Sequence, residues 1–196
     1  MLFGQEISSF EIIGFIAGIV GVWLTMKESI WNFPIGLINV IASLILFYRT
    51  QLYSDTLQQA VYIVLLSYGW YKWAYGDKEN PARAGLKVTT CSTPLLLRLL
   101  FIAIICSAAG GFIFGKYLNA SYSYWDATGT SLSLIAQWMI AKKKIENWLL
   151  WMVVNVLYIG IYYFKHLHLY MILYAVFLAM AVAGYYSWKR HLILKS

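Results

Sequence analysis

Charge is what this chain lacks. Asp, Glu, Lys and Arg make up 12% of its 196 residues, against roughly 25% in an average soluble domain. The few charges come in clumps. Between the clumps lie seven stretches of roughly 15 to 20 residues without Asp, Glu, Lys or Arg, about the length that crosses a bilayer core. A soluble globular enzyme is therefore excluded. Disorder is excluded too, because 61% of the residues are apolar or aromatic and such a chain has surface to bury.

Other absences narrow the function. Cys91 and Cys106 are too few for a disulfide framework and read as unpaired thiols. The first eleven residues hold Glu6 and Glu11 but no Lys or Arg, so no signal peptide is expected. His166, His168 and His191 read as loop and tail surface, and no two have the i, i+4 spacing of a helical metal site. There is no Gly-rich phosphate loop and no nucleophile elbow. No metal, cofactor or catalytic residue is expected, and an ATP-driven pump is excluded on this chain. The net charge of +7 does not point to nucleic acid, because the basic residues flank apolar spans as membrane topology requires.

What is present is a set of helical spans. They run about Ile12 to Met26, Ile30 to Tyr48, Tyr53 to Trp73, Leu95 to Phe114, Tyr124 to Ala141, Trp148 to Phe164 and Leu169 to Trp188. Without water in the hydrocarbon only helices or a closed barrel can cross, and runs without strict alternation argue for helices. Seven spans put the chain ends on opposite sides. Twelve Lys and Arg then fall on the side of the C-terminus and three, Arg49, Lys116 and Lys165, on the other. The positive-inside rule makes the C-terminus cytoplasmic and the N-terminus external.

The chain also resembles itself. Gly69-Trp70-Tyr71-Lys72-Trp73 returns 115 positions later as Gly184-Tyr185-Tyr186-Ser187-Trp188. At the same offset Asn32 meets Asn147 and Leu52 meets Leu167; Asn39-Val40 meets Asn155-Val156 one position out of register. The expected fold class is an all-α integral membrane protein of seven transmembrane helices in a 3+1+3 parallel repeat. Its single membrane domain, 1–196, divides into a three-helix unit over 9–76, a connecting helix over 95–116 and a second unit over 122–190. An even offset of four spans gives both units one orientation, with the axis along the membrane normal. In that design the ligand site lies near mid-membrane where the units meet.

Polar side chains inside the spans mark candidate site residues, because an amide in hydrocarbon needs a partner or a cavity. Trp148, Trp151 and Asn155 share a helix face at spacings three and four. They offer a stacking surface with a hydrogen-bonding end, although Trp148 alone could be a membrane-interface residue. Gln59, Tyr62 and Trp70 share a face of the third span beside Gln58; Asn39 stands midway in the second. The fifth span carries Asp126, Thr130, Ser133 and Gln137, and the seventh carries Tyr174, opposite Gln59 in the repeat. Each amide alone could be interhelical glue. No Asp, Glu, Lys or Arg lies deep in a span, which favours a passive uniporter over a proton-coupled carrier. The missing titratable pair also argues against a membrane enzyme. Neutral amides among aromatic rings suit a flat, cationic, heteroaromatic ligand. Pro34 in the second span could free a carbonyl and act as a hinge.

At these residues the chain resembles the PnuC family of bacterial vitamin transporters, over about Glu11 to Arg190. The resemblance rests on Phe33-Pro34-Ile35-Gly36-Leu37-Ile38-Asn39-Val40, Gln51-Leu52-Tyr53 with Gln59, Tyr68-Gly69-Trp70-Tyr71-Lys72-Trp73, Trp125-Asp126, and Glu146-Asn147-Trp148-Leu149-Leu150-Trp151 with Asn155. It implies a full-length SWEET-like arrangement in the bacterial inner membrane and facilitated diffusion of a non-phosphorylated vitamin, trapped by a cytoplasmic kinase. It implies that Trp148, Trp151 and Gln59 hold the vitamin; Asn39, Gln137 and Asn155 join them from the helix faces. It suggests a homotrimer. Among the vitamins that members of this family carry, the amides rank nicotinamide riboside first, thiamine second and the bulkier riboflavin third. A membrane-embedded binding subunit of a larger transporter is the alternative of a different class.

Overall fold

A stretch that enters hydrocarbon must satisfy its backbone within itself, so each long uncharged run closes into a helix. The computed structural model describes residues 9–49, 53–76, 86–118 and 123–193. Over these the chain forms α1 (Ser9–Met26), α2 (Asn32–Arg49), α3 (Tyr53–Tyr75), α4 (Thr93–Leu118), α5 (Ser123–Ala141), α6 (Asn147–Phe164) and α7 (His168–Ile193). Among the described residues there is no strand, only an isolated bridge between Thr89 and Lys144. Glu6, the Gln51-Leu52 pair, most of the polar segment before Lys87 and the first residue of the expected second unit lie outside the described residues.

Each expected span is a helix. α4 and α7 run four and five residues past their expected ends at Phe114 and Trp188, because backbone hydrogen bonding continues after the apolar run stops. By length and apolarity four helices can cross a membrane: α2, α4, α6 and α7. The described apolar part of α1, Ile13–Met26, is shorter. α3 and α5 are more polar: Asp55, Gln58 and Gln59 stand on one, Asp126, Thr130, Ser133 and Gln137 on the other.

The kink considered within the second span at Pro34 is absent from the helix interior. α2 begins at Asn32, so Pro34 lies in its first turn, where a missing N–H costs no helical bond. The Ile30 carbonyl accepts from the Phe33 N–H at 3.2 Å instead.

The helices close a ring. α1 packs on α2, α2 on α3, α3 on α5, α5 on α6, α6 on α7, and α7 back on α1. α4 packs on α5 alone, outside the ring, and leaves Leu97, Phe101 and Ile104 exposed. Thr25, Asn32, Ser133, Gln137 and Asn155 are buried while Ile13, Ile38, Leu57 and Val156 are exposed. Polar in and apolar out is the pattern of a bundle with lipid around it and a cavity within it.

One end of the ring is basic. There α1, α3, α5 and α7 finish and α2, α4 and α6 begin, among Lys27, Lys72, Lys142, Lys143, Lys144, Lys189 and Arg190. Its core is four aromatic rings, Phe33, Trp73, Trp148 and Trp188, all buried. Phe33 meets Trp73 edge to face at 5.0 Å, and Trp148 meets Trp188 edge to face at 5.5 Å. A glycine receives the inner ring of each pair. A Cβ on Gly69 would sit 2.5 Å from Phe33, and one on Gly184 would sit 2.6 Å from Trp148.

Candidate ligand-binding cavity

The ring encloses a cavity of about 370 Å³, at the small end of pockets that bury organic ligands. All six ring helices line it, and α4 does not. Trp148, Trp151, Asn155, Gln59, Asn39, Gln137, Tyr174 and Tyr62 all stand on its wall. The helical period explains this: residues three and four apart share a face, and α2, α3, α5 and α6 turn their amides inward while α1 and α7 add small and aromatic residues.

α6 supplies the longest stripe. Trp148, Trp151, Asn155 and Tyr158 line the cavity at successive spacings of three, four and three. Asn155 is 3% exposed. Trp148 is 2% exposed and therefore faces no lipid. Its indole N–H is buried without a protein partner, so a donor stands beside the cavity. Trp151 is only partly buried, which leaves its ring free to meet a ligand. α3 brings Gln58, Gln59 and Tyr62, and the Tyr62 hydroxyl lies within bonding reach of Ser133 and Gln58.

The remaining candidates fall on and off the wall, and some wall residues were missed. Trp70 does not line the cavity; it is 40% exposed on the outside of α3. Asp126 stands near the end of its span, as expected, and pairs there with Lys165 at 3.6 Å, at the end of the bundle away from the basic end. His191 is not free tail surface: it stands on α7 and its Nδ1 meets the Glu28 carboxylate. Gln58 and Ser133, noted beside Gln59 and Gln137, line the cavity with them; Tyr158, Asn32 and Thr25 line it without having been read as site residues. Tyr158 was findable, since it continues the spacing of Trp148, Trp151 and Asn155. Thr25 was not, because it follows a run of apolar residues with no amide to mark the face.

The chemistry of the wall is uniform. Six amides, Asn32, Asn39, Gln58, Gln59, Gln137 and Asn155, alternate with six aromatic rings, Tyr62, Trp148, Trp151, Tyr158, Tyr174 and Phe177. No Asp, Glu, Lys, Arg or His is among the lining residues. Such a wall can stack a flat ring and hydrogen-bond hydroxyl and carboxamide groups. Its lining residues include no Arg or Lys to neutralise a phosphate.

The comparisons with known proteins agree in class. The chain is 27% identical to the nicotinamide riboside transporter PnuC of Escherichia coli, covering 94% of this chain and 87% of that one. It is 27% identical to the protein of that name in Neisseria mucosa, covering 90% and 72%. It is 25% identical to the riboflavin/roseoflavin transporter RibM of Streptomyces davaonensis, covering 96% and 88%. The crystal structure of the vitamin B3 transporter PnuC shares its fold, with a TM-score of 0.70 over 91% of this chain and 81% of that one, at 22% identity. The profile of the family described as nicotinamide mononucleotide transporter matches residues 8–190. Over nearly its whole length, then, this multi-pass membrane protein belongs to the nicotinamide mononucleotide transporter family, a family of transporters and not of enzymes.

Proposed function

We propose that the chain takes up a non-phosphorylated vitamin, nicotinamide riboside before others, by facilitated diffusion. One observation carries the reading: a central cavity walled by six amides and six aromatic rings without an ionised group. A pyridinium ring gains from stacking on Trp151, where cation–π attraction contributes about 0.5–2 kcal/mol. The amides of Gln59, Asn39, Gln137 and Asn155 serve a carboxamide and ribose hydroxyls, and Tyr62 and Tyr174 close the wall. A phosphate would enter without a counter-charge at a cost of several kcal/mol. The riboside is therefore favoured over its phosphate, the form the family's description names. Two curated relatives carry nicotinamide riboside in their names, which supports the choice.

Movement follows from the two three-helix units, 9–76 and 122–190, rocking about the cavity to expose it alternately to each side. The basic end is the cytoplasmic end by the positive-inside rule, so the N-terminus is external. A cytoplasmic kinase traps the product and sets the direction of net flux. The protomers assemble as a trimer.

The test is tryptophan-quenching titration of the purified chain with nicotinamide riboside, its phosphate, thiamine and riboflavin, followed by uptake into liposomes. Tight quenching by the riboside, and flux without ATP or a partner, is the expected result. Tight quenching by thiamine, the other flat cation, would keep the uniport and replace the substrate. So would riboflavin, which the relative named for it makes the third choice. Binding without flux would make the chain a binding subunit of a larger transporter.

A further inference from the structure

The contacts at the basic end sort into two kinds. The edge-to-face pairs and their glycine sockets lie within a unit: Phe33, Trp73 and Gly69 in α2–α3, Trp148, Trp188 and Gly184 in α6–α7. The polar bonds cross between units. Trp73 Nε1 donates to the Ile140 oxygen and Trp188 Nε1 to the Thr25 oxygen, both at 3.1 Å. Ser187 Oγ donates to the Met26 oxygen at 3.2 Å. Lys143 Nζ, in the α5–α6 turn, pairs with Glu28 Oε2, in the α1–α2 turn, at 2.8 Å. Lys143 also stands 4.3 Å from the centre of the Trp73 ring. The two turns are built alike, with Glu28 at φ 53 and Lys143 at φ 49, 115 positions apart.

We propose that Glu28 and Lys143 are the gating pair of this transporter: joined, they hold the basic end shut, and their separation opens the cavity there. Thr25, Asn32, Ile140 and Trp148, which line the cavity, are each less than 9% exposed at this end, so the floor is closed in the conformer described. The pair spans the seam directly below it. Opening the seam splits polar bonds whose groups regain water, while the two edge-to-face pairs stay whole inside their units and the looser Trp73–Trp188 contact, 6.2 Å between centres, is given up. A partly buried ion pair suits such a seam. Its attraction roughly offsets the desolvation of its two charges, so it fixes the closed geometry without committing much free energy to it. An apolar seam of the same area would expose its rings to water at each cycle.

The proposal rests on the transport reading above, and its test can fail separately from that reading. In a Cys91→Ser, Cys106→Ser background, Gly21→Cys reports access to the cavity: Gly21 lines the wall and an added Cβ meets nothing within 4 Å. A membrane-impermeant maleimide is applied from the basic side of vesicles. Glu28→Gln or Lys143→Met should raise the labelling rate about tenfold or more, since either removes the ion pair across the seam; Glu28→Gln should act more strongly, because in Lys143→Met the Glu28 carboxylate keeps His191 of α7. Separately, Glu28→Cys with Lys143→Cys, joined by a short reducible bis-thiosulfonate, should stop flux, retain ligand quenching and recover on reduction. Labelling unchanged in folded Glu28→Gln, or flux that continues through the cross-linked protein, overturns the proposal. If the single variants do not fold, the cross-linking arm decides alone. Loss of flux in the unmodified chain would instead count against the transport reading.

Discussion

Trp188 donates its indole N–H to the carbonyl oxygen of Thr25, and 115 positions earlier Trp73 donates to Ile140, itself 115 positions after Thr25. The first bond joins α7 to α1 and the second joins α3 to α5. Trp188→Phe keeps an aromatic side chain but removes the donor, leaving the Thr25 carbonyl with the Glu28 N–H alone, and loses part of the volume of a fully buried indole, at a cost of about 1–3 kcal/mol. Trp73→Phe should cost a similar amount in a thermal or denaturant melt. The two rings stand 6.2 Å apart, so the double variant should depart from additivity. A large effect at one position with none at the other would remove the kinship of the two bonds.

How much of this was legible in the chain depends on the distance over which a signal acts. The spans were, because a run free of charge is local and its length is set by the bilayer. So was the cavity-facing set: Gln59 with Tyr62, and Trp151 with Asn155, are one helical turn apart and declare a shared face. The ring order was not, since nothing local says that α4 lies outside and that α3 packs on α5. Nor was the Glu28–Lys143 pair, whose members look like ordinary topogenic charges until the two turns are placed face to face. His191 was misread for the same reason: an apolar run stops at Trp188, but the helix continues and carries the imidazole to Glu28.

Gly184 meets Trp148 too closely for any side chain. Gly184→Ala puts a Cβ 2.6 Å from a ring that is 2% exposed, so the ring must shift. The expected cost is about 1–3 kcal/mol, the usual range for overpacking, with weaker ligand quenching because Trp148 lines the cavity. Gly160→Ala is the control. Its Cβ would meet nothing within 4 Å, and Ala gains about 0.5–1 kcal/mol over Gly inside a helix, so the melting temperature should rise slightly.

The Glu28 carboxylate gives stability a pH dependence. Burial alone would raise its pKa; hydrogen bonds from Lys143 and His191 outweigh that and hold it below the ordinary value of 4.5. A carboxyl lowered on folding contributes stability above its unfolded value and loses it as pH falls through the folded one. The melting temperature of the native protein should therefore fall as pH drops from about 6 to below about 4. Glu28→Gln should be less stable at neutral pH and show a shallower acid decline. An unchanged slope would mean that other carboxylates govern the acid limb.

The two tryptophans of α6 should separate binding from folding. Trp148 is buried against Trp188, so Trp148→Ala should cost about 3–5 kcal/mol of stability, as core aromatics do. Lost binding in that variant would say little about contact with a ligand. Trp151 is half-buried on the cavity wall. Removing a ring that stacks on a flat heterocycle costs about 1–3 kcal/mol, so Trp151→Ala should weaken ligand binding by roughly 5- to 150-fold; because Trp151 also packs against the core, the apo protein should lose some stability, but less than Trp148→Ala. Tyr158→Phe removes one hydroxyl and keeps the ring; the expected loss is about tenfold or less. Isothermal titration of the three variants, each paired with its apo melting curve, checks the order. If Trp151→Ala bound as the native protein does, the flat ring would lie elsewhere on the wall, with Tyr158 and Tyr174 the next rings to test.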